Sequence, residues 1–218
     1  GTGGTATITG SAGQDAITVG NFASTINGGA GVDTIIGGTA ADTISGGAGN
    51  DVLTGSGGND TINGDDGDDA ITATTAGNYT VTGGAGNDTL DLGGTATQLD
   101  SFDGGDGTDI LAGVAANLVS SAYAKPTTAT VTNIETINVT DLLDTGNYTL
   151  SNIASGITTF GMAAGSDNTQ RTVTFEGGGA SNTVNLTGAT VIGTSGIKFA
   201  AAGTNTSDSL TINQRSEE

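Results

Sequence analysis

Eight aspartates recur at fixed intervals through the first half of this chain: Asp15, Asp33, Asp51, Asp69, Asp88 and Asp109 in one series, Asp42 and Asp60 in another. The steps are 18 residues, lengthening to 19 and 21 at the last two members of the first series. Carboxylates at such spacing can gather hard oxygen ligands for a cation, act as an acid and base pair, or form a solvated acidic surface. A solvated surface or disordered tail needs no register. The residues between these aspartates keep one.

Aligned on nine, the sequence reads GTGGTATIT (1–9), GSAGQDAIT (10–18), VGNFASTIN (19–27), GGAGVDTII (28–36), GGTAADTIS (37–45), GGAGNDVLT (46–54), GSGGNDTIN (55–63) and GDDGDDAIT (64–72). The eighth position is always apolar: Ile8, Ile17, Ile26, Ile35, Ile44, Leu53, Ile62 and Ile71. A ten-residue unit (73–82, with Val81), GGAGNDTLD (83–91), a degenerate stretch with Leu99 and Phe102, and GGDGTDILA (104–112) follow. Nine residues fit a six-residue glycine-rich turn and a three-residue strand whose middle side chain points inward. Two units close a coil of 18 residues, and about six coils stacked at roughly 4.8 Å give two parallel sheets around an Ile/Leu ladder. The aspartates, at the sixth position, then fall on two edges. The second edge reads Ala6, Ser24, Asp42, Asp60 and Asn78, with Ser24 and Asn78 as neutral oxygens for weaker sites.

Composition supports this division. Residues 1–113 hold 15 Asp and no Glu, Lys or Arg, and 29 of the 40 Gly; residues 114–218 hold four Asp, four Glu and all four Lys and Arg. The net charge of −19 repels nucleic acid and other acidic surfaces. No run reaches the ~18 apolar residues of a membrane span. The absence of Cys and His excludes disulfides, thiolate and imidazole metal sites, and Ser-His-Asp or Cys-His catalysis.

Units 28–36, 46–54, 83–91 and 104–112 carry the whole pattern GGxGxDxUx, with U a large apolar residue. This pattern resembles the RTX (repeats-in-toxin) nonapeptide proteins, whose repeat forms a calcium-binding parallel β-roll. The resemblance implies that the turns hold calcium between successive coils. The implied ligands are Asp15, Asp33, Asp51, Asp69, Asp88, Asp109, Asp42 and Asp60, with turn carbonyls of Gly28, Gly31, Gly46, Gly49, Gly64, Gly83, Gly86 and Gly104. Hard oxygen donors in a flexible cage suit calcium better than magnesium. Gaps between facing aspartates lie at 15/33, 33/51, 51/69, 69/88, 88/109 and 42/60, so about six ions, give or take two, are expected within 1–113. Of the cluster Asp65, Asp66, Asp68 and Asp69, only Asp69 is in register, and no Glu stands at the twelfth position an EF-hand would need.

The region 114–218 keeps β-branched runs at Val131–Thr132, Ile134–Val139, Tyr148–Leu150, Ile157–Phe160, Thr172–Phe175, Thr183–Leu186, Thr190–Ile192, Ile197–Phe199 and Leu210–Ile212. Their spacing fits a calcium-poor β-solenoid or a β-sandwich, and the solenoid is favoured because the first region offers an end to stack upon. The stretch 114–130, with Pro126, reads as a connector, and Glu135 as a surface or inter-strand carboxylate. The whole is all-β, an RTX β-roll over 1–113 continuing into 114–218.

GGDGTDIL (104–111) followed by TNIETINVTD (132–141) is similar to the junction in RTX-type bacterial surface-layer proteins and some large secreted adhesins. The resemblance implies type I secretion and an extracellular location on a bacterial surface. It also implies self-association into an array, and a contact to cell-surface polysaccharide through sequence outside these residues. Gly1 is no natural start, so the chain reads as a fragment. An enzyme is not expected. Ser195 and Lys198 fit an SxxK spacing, but Ile197–Phe199 reads as a strand, and nothing brings Glu135, Asp167 and Glu176 together as a glycosidase pair. Glycine-rich phosphate loops and ice binding are disfavoured too. The glycines alternate with aspartate, and the third turn positions are Ala12, Ala30, Ala48, Asp66 and Ala85 rather than threonine.

Overall fold

A computed structural model describes residues 4–73, 77–91, 98–113, 130–139, 147–150, 159–163, 171–176, 183–187, 197–202 and 211–213. The predicted connector 114–130 falls outside them except for Thr130, and the predicted strand Thr190–Ile192 does so entirely. Among the described residues all regular structure is strand. Among these residues no helix is long and apolar enough to cross a membrane.

Successive strands alternate between two sheets, as a coil of two units requires. One sheet holds β1 (Ala6–Thr9), β3 (Ser24–Ala30), β5 (Thr43–Ala48), β7 (Asp60–Asp66), β9 (Asn78–Ala85), β11 (Gln98–Asp106) and β13 (Thr130–Thr132). The other holds β2 (Ala16–Thr18), β4 (Thr34–Ile36), β6 (Val52–Thr54), β8 (Ala70–Thr72), β10 (Thr89–Asp91), β12 (Ile110–Gly113) and β14 (Thr136–Val139). It continues through β16 (Thr159–Ala163), β18 (Thr183–Thr187) and β20 (Thr211–Asn213). A third sheet joins β15 (Asn147–Leu150), β17 (Arg171–Glu176) and β19 (Ile197–Ala202). The ladders that join these strands are parallel, including those beyond residue 113. Parallel neighbours need crossover connections, whereas a sandwich is built from antiparallel hairpins and Greek keys, so the described strands build a β-solenoid rather than a sandwich.

Strand side chains alternate between faces, so the sixth and eighth residues of each unit point the same way. The eighth residues stack in register as two inner columns. Ile26, Ile44, Ile62, Val81, Phe102 and Val131 form one; Ile35, Leu53, Ile71, Leu90, Leu111 and Ile137 form the other. Each fully buried side chain contributes roughly 1.5–3 kcal/mol. Leu53, at 0 % exposure in mid-column, has no room to be replaced from solvent. Leu53→Ala is expected to lower stability by about 2–5 kcal/mol in denaturant unfolding with calcium present.

The strands differ in length from the expected three residues. Those of the second sheet through β10 have that length, but β3 and β5 run on through the Gly-Gly-Ala of the following turn. There Gly29 pairs with Gly47 and Ala30 with Ala48, so the first half of each turn is itself hydrogen-bonded between coils. Gly29 and Gly47, at φ of 112° and 109°, make this possible. A Cβ on Gly47 would strike the Gly29 carbonyl one coil below.

Candidate metal centre

Because the sixth residue shares the inward face with the apolar ladder, its carboxylate is buried by the same pleat that buries the isoleucines. Asp33, Asp42, Asp51, Asp60, Asp69, Asp88 and Asp109 are each at most 2 % exposed; Asp15, near the start of the column, is only partly buried.

Hydrogen bonds tie these carboxylates into columns. On the first edge each backbone N–H donates to Oδ1 of the aspartate one coil on. Asp15 donates to Asp33 at 2.8 Å, Asp33 to Asp51 at 2.7 Å, Asp51 to Asp69 at 2.7 Å, Asp69 to Asp88 at 2.8 Å and Asp88 to Asp109 at 2.8 Å. On the second edge Ser24 donates to Asp42 at 2.7 Å and Asp42 to Asp60 at 2.8 Å. All eight predicted aspartates are thus brought into two rows, each with one oxygen spoken for or reinforced by the backbone.

The other oxygen separates the sites. Asp33, Asp51, Asp60, Asp69, Asp88 and Asp109 each bury an Oδ2 that accepts no hydrogen bond. Asp15 Oδ2 instead accepts from Ser11 N at 2.6 Å and Ser11 Oγ at 2.9 Å, and Asp42 Oδ2 from Gly38 N at 2.8 Å. A buried, unpaired carboxylate oxygen is costly, and the cost is removed by a proton or a cation.

The first glycine of each turn forms the floor of the space these oxygens face. At Gly28, Asp33 Oδ2 and the Gly46 carbonyl converge. The same holds for Asp51 Oδ2 and Gly64 O at Gly46, Asp69 Oδ2 and Gly83 O at Gly64, and Asp88 Oδ2 and Gly104 O at Gly83. A Cβ at any of these positions would fill that space. The fourth glycines act differently. Gly31, Gly49 and Gly86, at φ of 120°, 127° and 139°, donate their N–H to the third-position carbonyl one coil on. The Gly31 and Gly49 carbonyls lie tight against Gly49 and Gly67 above them.

Among the described residues no three Asp or Glu side chains cluster closely enough to form a metal site by themselves. Each gap therefore combines one or two carboxylates with backbone carbonyls, an all-oxygen and adaptable set that fits calcium.

Burial pushes the carboxyls up, to about 7 for Asp69 and about 6 for Asp60, against a usual 3.8. Asp51, Asp88 and Asp109 rise for the same first reason, with the neighbouring carboxylates adding repulsion and the backbone N–H of the coil below opposing the rise. The metal-free folded chain therefore binds protons that the unfolded chain does not. The stability that these carboxyls contribute is fully present below about 4 and is lost as pH rises through the folded values of about 6 for Asp60 and about 7 for Asp69. Calcium-stripped protein is expected to gain β signal in circular dichroism on acidification from pH 8 to about 5. With calcium present, the same acidification should weaken ion binding, since protons and calcium compete for the same oxygens.

The second edge ends differently from its expected pattern. Asp60 pairs with Tyr79, not Asn78, because the extra residue of the ten-residue unit lies before the strand. Tyr79 is buried, with its ring edge over Gly55 where another coil would offer a carbonyl, and its hydroxyl donates to Ser56 O. Asn78 is exposed, and its N–H goes to Asn59 Oδ1 at 3.2 Å.

Two features were not legible as site elements. An outer ladder runs along the fifth positions: Asn50 Oδ1 accepts from Asp68 N at 3.1 Å, Asp68 Oδ1 from Asn87 N at 2.7 Å, and Asn87 Oδ1 from Thr108 N at 3.0 Å. This ladder points the opposite way to the aspartate column beside it, and it gives Asp68 a structural role. The second is Glu135, whose Oε2 accepts from Asp109 N at 2.8 Å and so continues the first-edge column by one step.

A parallel β-roll whose edges are columns of buried, half-satisfied carboxylates defines a calcium-binding repeat scaffold. The family profile of the RTX calcium-binding nonapeptide repeat, four copies long, matches residues 9–44, 36–71 and 73–99. These segments are RTX repeats, and the fold they build is the RTX β-roll, a calcium-binding structural module. No curated protein matches the chain.

Proposed function

We propose that this chain is a calcium-stabilised building block of a bacterial surface layer, exported by type I secretion and folded outside the cell. The observation that carries it is the set of six buried Asp Oδ2 atoms without a hydrogen bond, which makes the roll dependent on a cation. RTX repeat proteins are typically secreted by type I systems. The surface-layer assignment rests further on the resemblance of 104–141 to the junction in such proteins, and on a chain without Cys or His and with four basic residues.

In this reading six gaps hold calcium. Those at 33/51, 51/69, 69/88 and 88/109 bind tightest, since each sets an unpaired Oδ2 against a carbonyl of the next coil. The 15/33 and 42/60 gaps bind more weakly, because Ser11 and Gly38 already supply hydrogen bonds to their lower carboxylates. The ions supply positive charge that cross-links neighbouring coils, and the chain does no catalysis. Six divalent ions carry +12 against a net charge of −19, and this reduced repulsion also lets copies approach one another.

Light scattering and negative-stain microscopy of the intact parent protein across a calcium titration test the assignment. Soluble particles at low calcium and extended sheets at millimolar calcium are expected. A parent that folds with calcium but stays monomeric at high concentration would replace this reading with a calcium-dependent adhesin or an accessory module of a larger secreted protein.

A further inference from the structure

The repeat pattern GGxGxD stops at Asp109, but the donor arrangement does not. Between the pairs Asp103 with Thr132 and Ile110 with Thr136, the lower coil uses six residues, 104–109, and the upper coil only three, 133–135. Asn133 turns the chain at a φ of 53°, a left-handed value that asparagine tolerates better than most residues. Ile134, 2 % exposed, tucks into the core. Asn133 Nδ2 donates to Asp103 Oδ1 at 2.8 Å, which fixes the short turn onto the coil below.

This turn recreates the lower gaps. In the gap at 88/109, the lower aspartate offers an unpaired Oδ2, the first turn residue above offers its carbonyl, and the upper carboxylate accepts the lower N–H. At 109/135, Asp109 is 0 % exposed and its Oδ2 is unpaired, the Asn133 carbonyl converges with it at Gly104, and Glu135 Oε2 accepts from Asp109 N. The turn is shorter by three residues, and the added methylene of Glu over Asp extends the carboxylate's reach across it.

We propose that the gap between Asp109 and the Asn133-Ile134-Glu135 turn holds a further calcium ion, with Asp109 Oδ2, the Asn133 carbonyl and the Glu135 carboxylate among its ligands. It rests on the reading that the lower gaps hold calcium. This site binds more tightly than the one at 15/33, although only the latter has the repeat's aspartate on both sides. The ion pins β13 and β14 to the roll, so the first strands beyond the repeats become calcium-dependent too.

Equilibrium dialysis of the full chain, wild type against Glu135→Gln, tests it with calcium itself. Glu135→Gln is expected to bind one ion fewer per chain while keeping the others. Equal counts in the two proteins overturn the inference and leave the lower sites standing. A wild-type chain that binds no calcium overturns both readings. Should Glu135→Gln fail to fold, the wild type still decides: anomalous diffraction from crystals grown in calcium should place a peak between Asp109 Oδ2 and the Asn133 carbonyl. Calcium peaks at the lower gaps with none at this position overturn the inference.

Discussion

Removal of calcium is expected to abolish the cooperative β signal of residues 4–113. In the absence of metal, six buried carboxylate oxygens have no partner, and residues 1–113 carry 15 Asp without one basic residue. The same region has 29 glycines to order, each costly in backbone entropy, and only two facing apolar columns to offset these costs. Ion binding energy is then folding energy. From sequence alone, 114–218 would be expected to change less. The structure alters that expectation for β13 and β14, which pair directly with β11 and β12 and should be lost with them. Circular dichroism and hydrogen exchange after treatment with EGTA measure both effects, and full protection of Thr136–Val139 in chelator would contradict the second.

Asp51→Ala is the substitution with the largest expected effect, and its size should depend on calcium. Asp51 faces the gaps at 33/51 and 51/69, so its loss weakens two sites. An ion present at 100 times its dissociation constant stabilises by about 2.7 kcal/mol, so the variant should lose roughly 3–5 kcal/mol in saturating calcium. Asp91, at the end of β10 and out of register with the column, serves as the control; Asp91→Ala should cost less than about 1 kcal/mol. In calcium-stripped protein the difference between the two variants should narrow. Burial holds the Asp51 carboxyl above its usual range, so removing it relieves a desolvated charge while leaving the buried Asp33 N–H without its acceptor, and the two changes oppose each other. Denaturant unfolding in saturating calcium reads the first pair of comparisons, and the β signal that each calcium-stripped protein recovers on acidification reads the second.

Much of this was legible because two periods coincide. A nine-residue repeat places the sixth and eighth residues on one face of every strand, so a single alignment exposed both the apolar ladder and the aspartate column. The parallel roll followed from 18 residues per coil. What the alignment missed is local and steric. The strand at 98–106 keeps Phe102 in the ladder only through a register shift between Leu99 and Ser101, which no fixed period encodes. Tyr79 displaced Asn78 because a single inserted residue changes which side chain faces inward. The longer strands β3 and β5 depend on backbone pairing through glycines, where there is no side-chain pattern to read. Glu135 escaped because a turn of three residues carries a different spacing and a different acid from the repeat. Asp65, out of register with the repeat, sits at φ 73° with hydrogen bonds from Ser45 and Asn63, a conformation that only its neighbours reveal.

Anomalous diffraction from crystals grown in calcium would locate the ions. A row of calcium peaks one coil apart is expected along the edge from Asp33 to Asp109, each beside an aspartate Oδ2 and a carbonyl of the following turn. Occupancy should be weaker at 15/33 and 42/60. A map without metal along that edge, with the roll intact and the aspartates still buried, would contradict it.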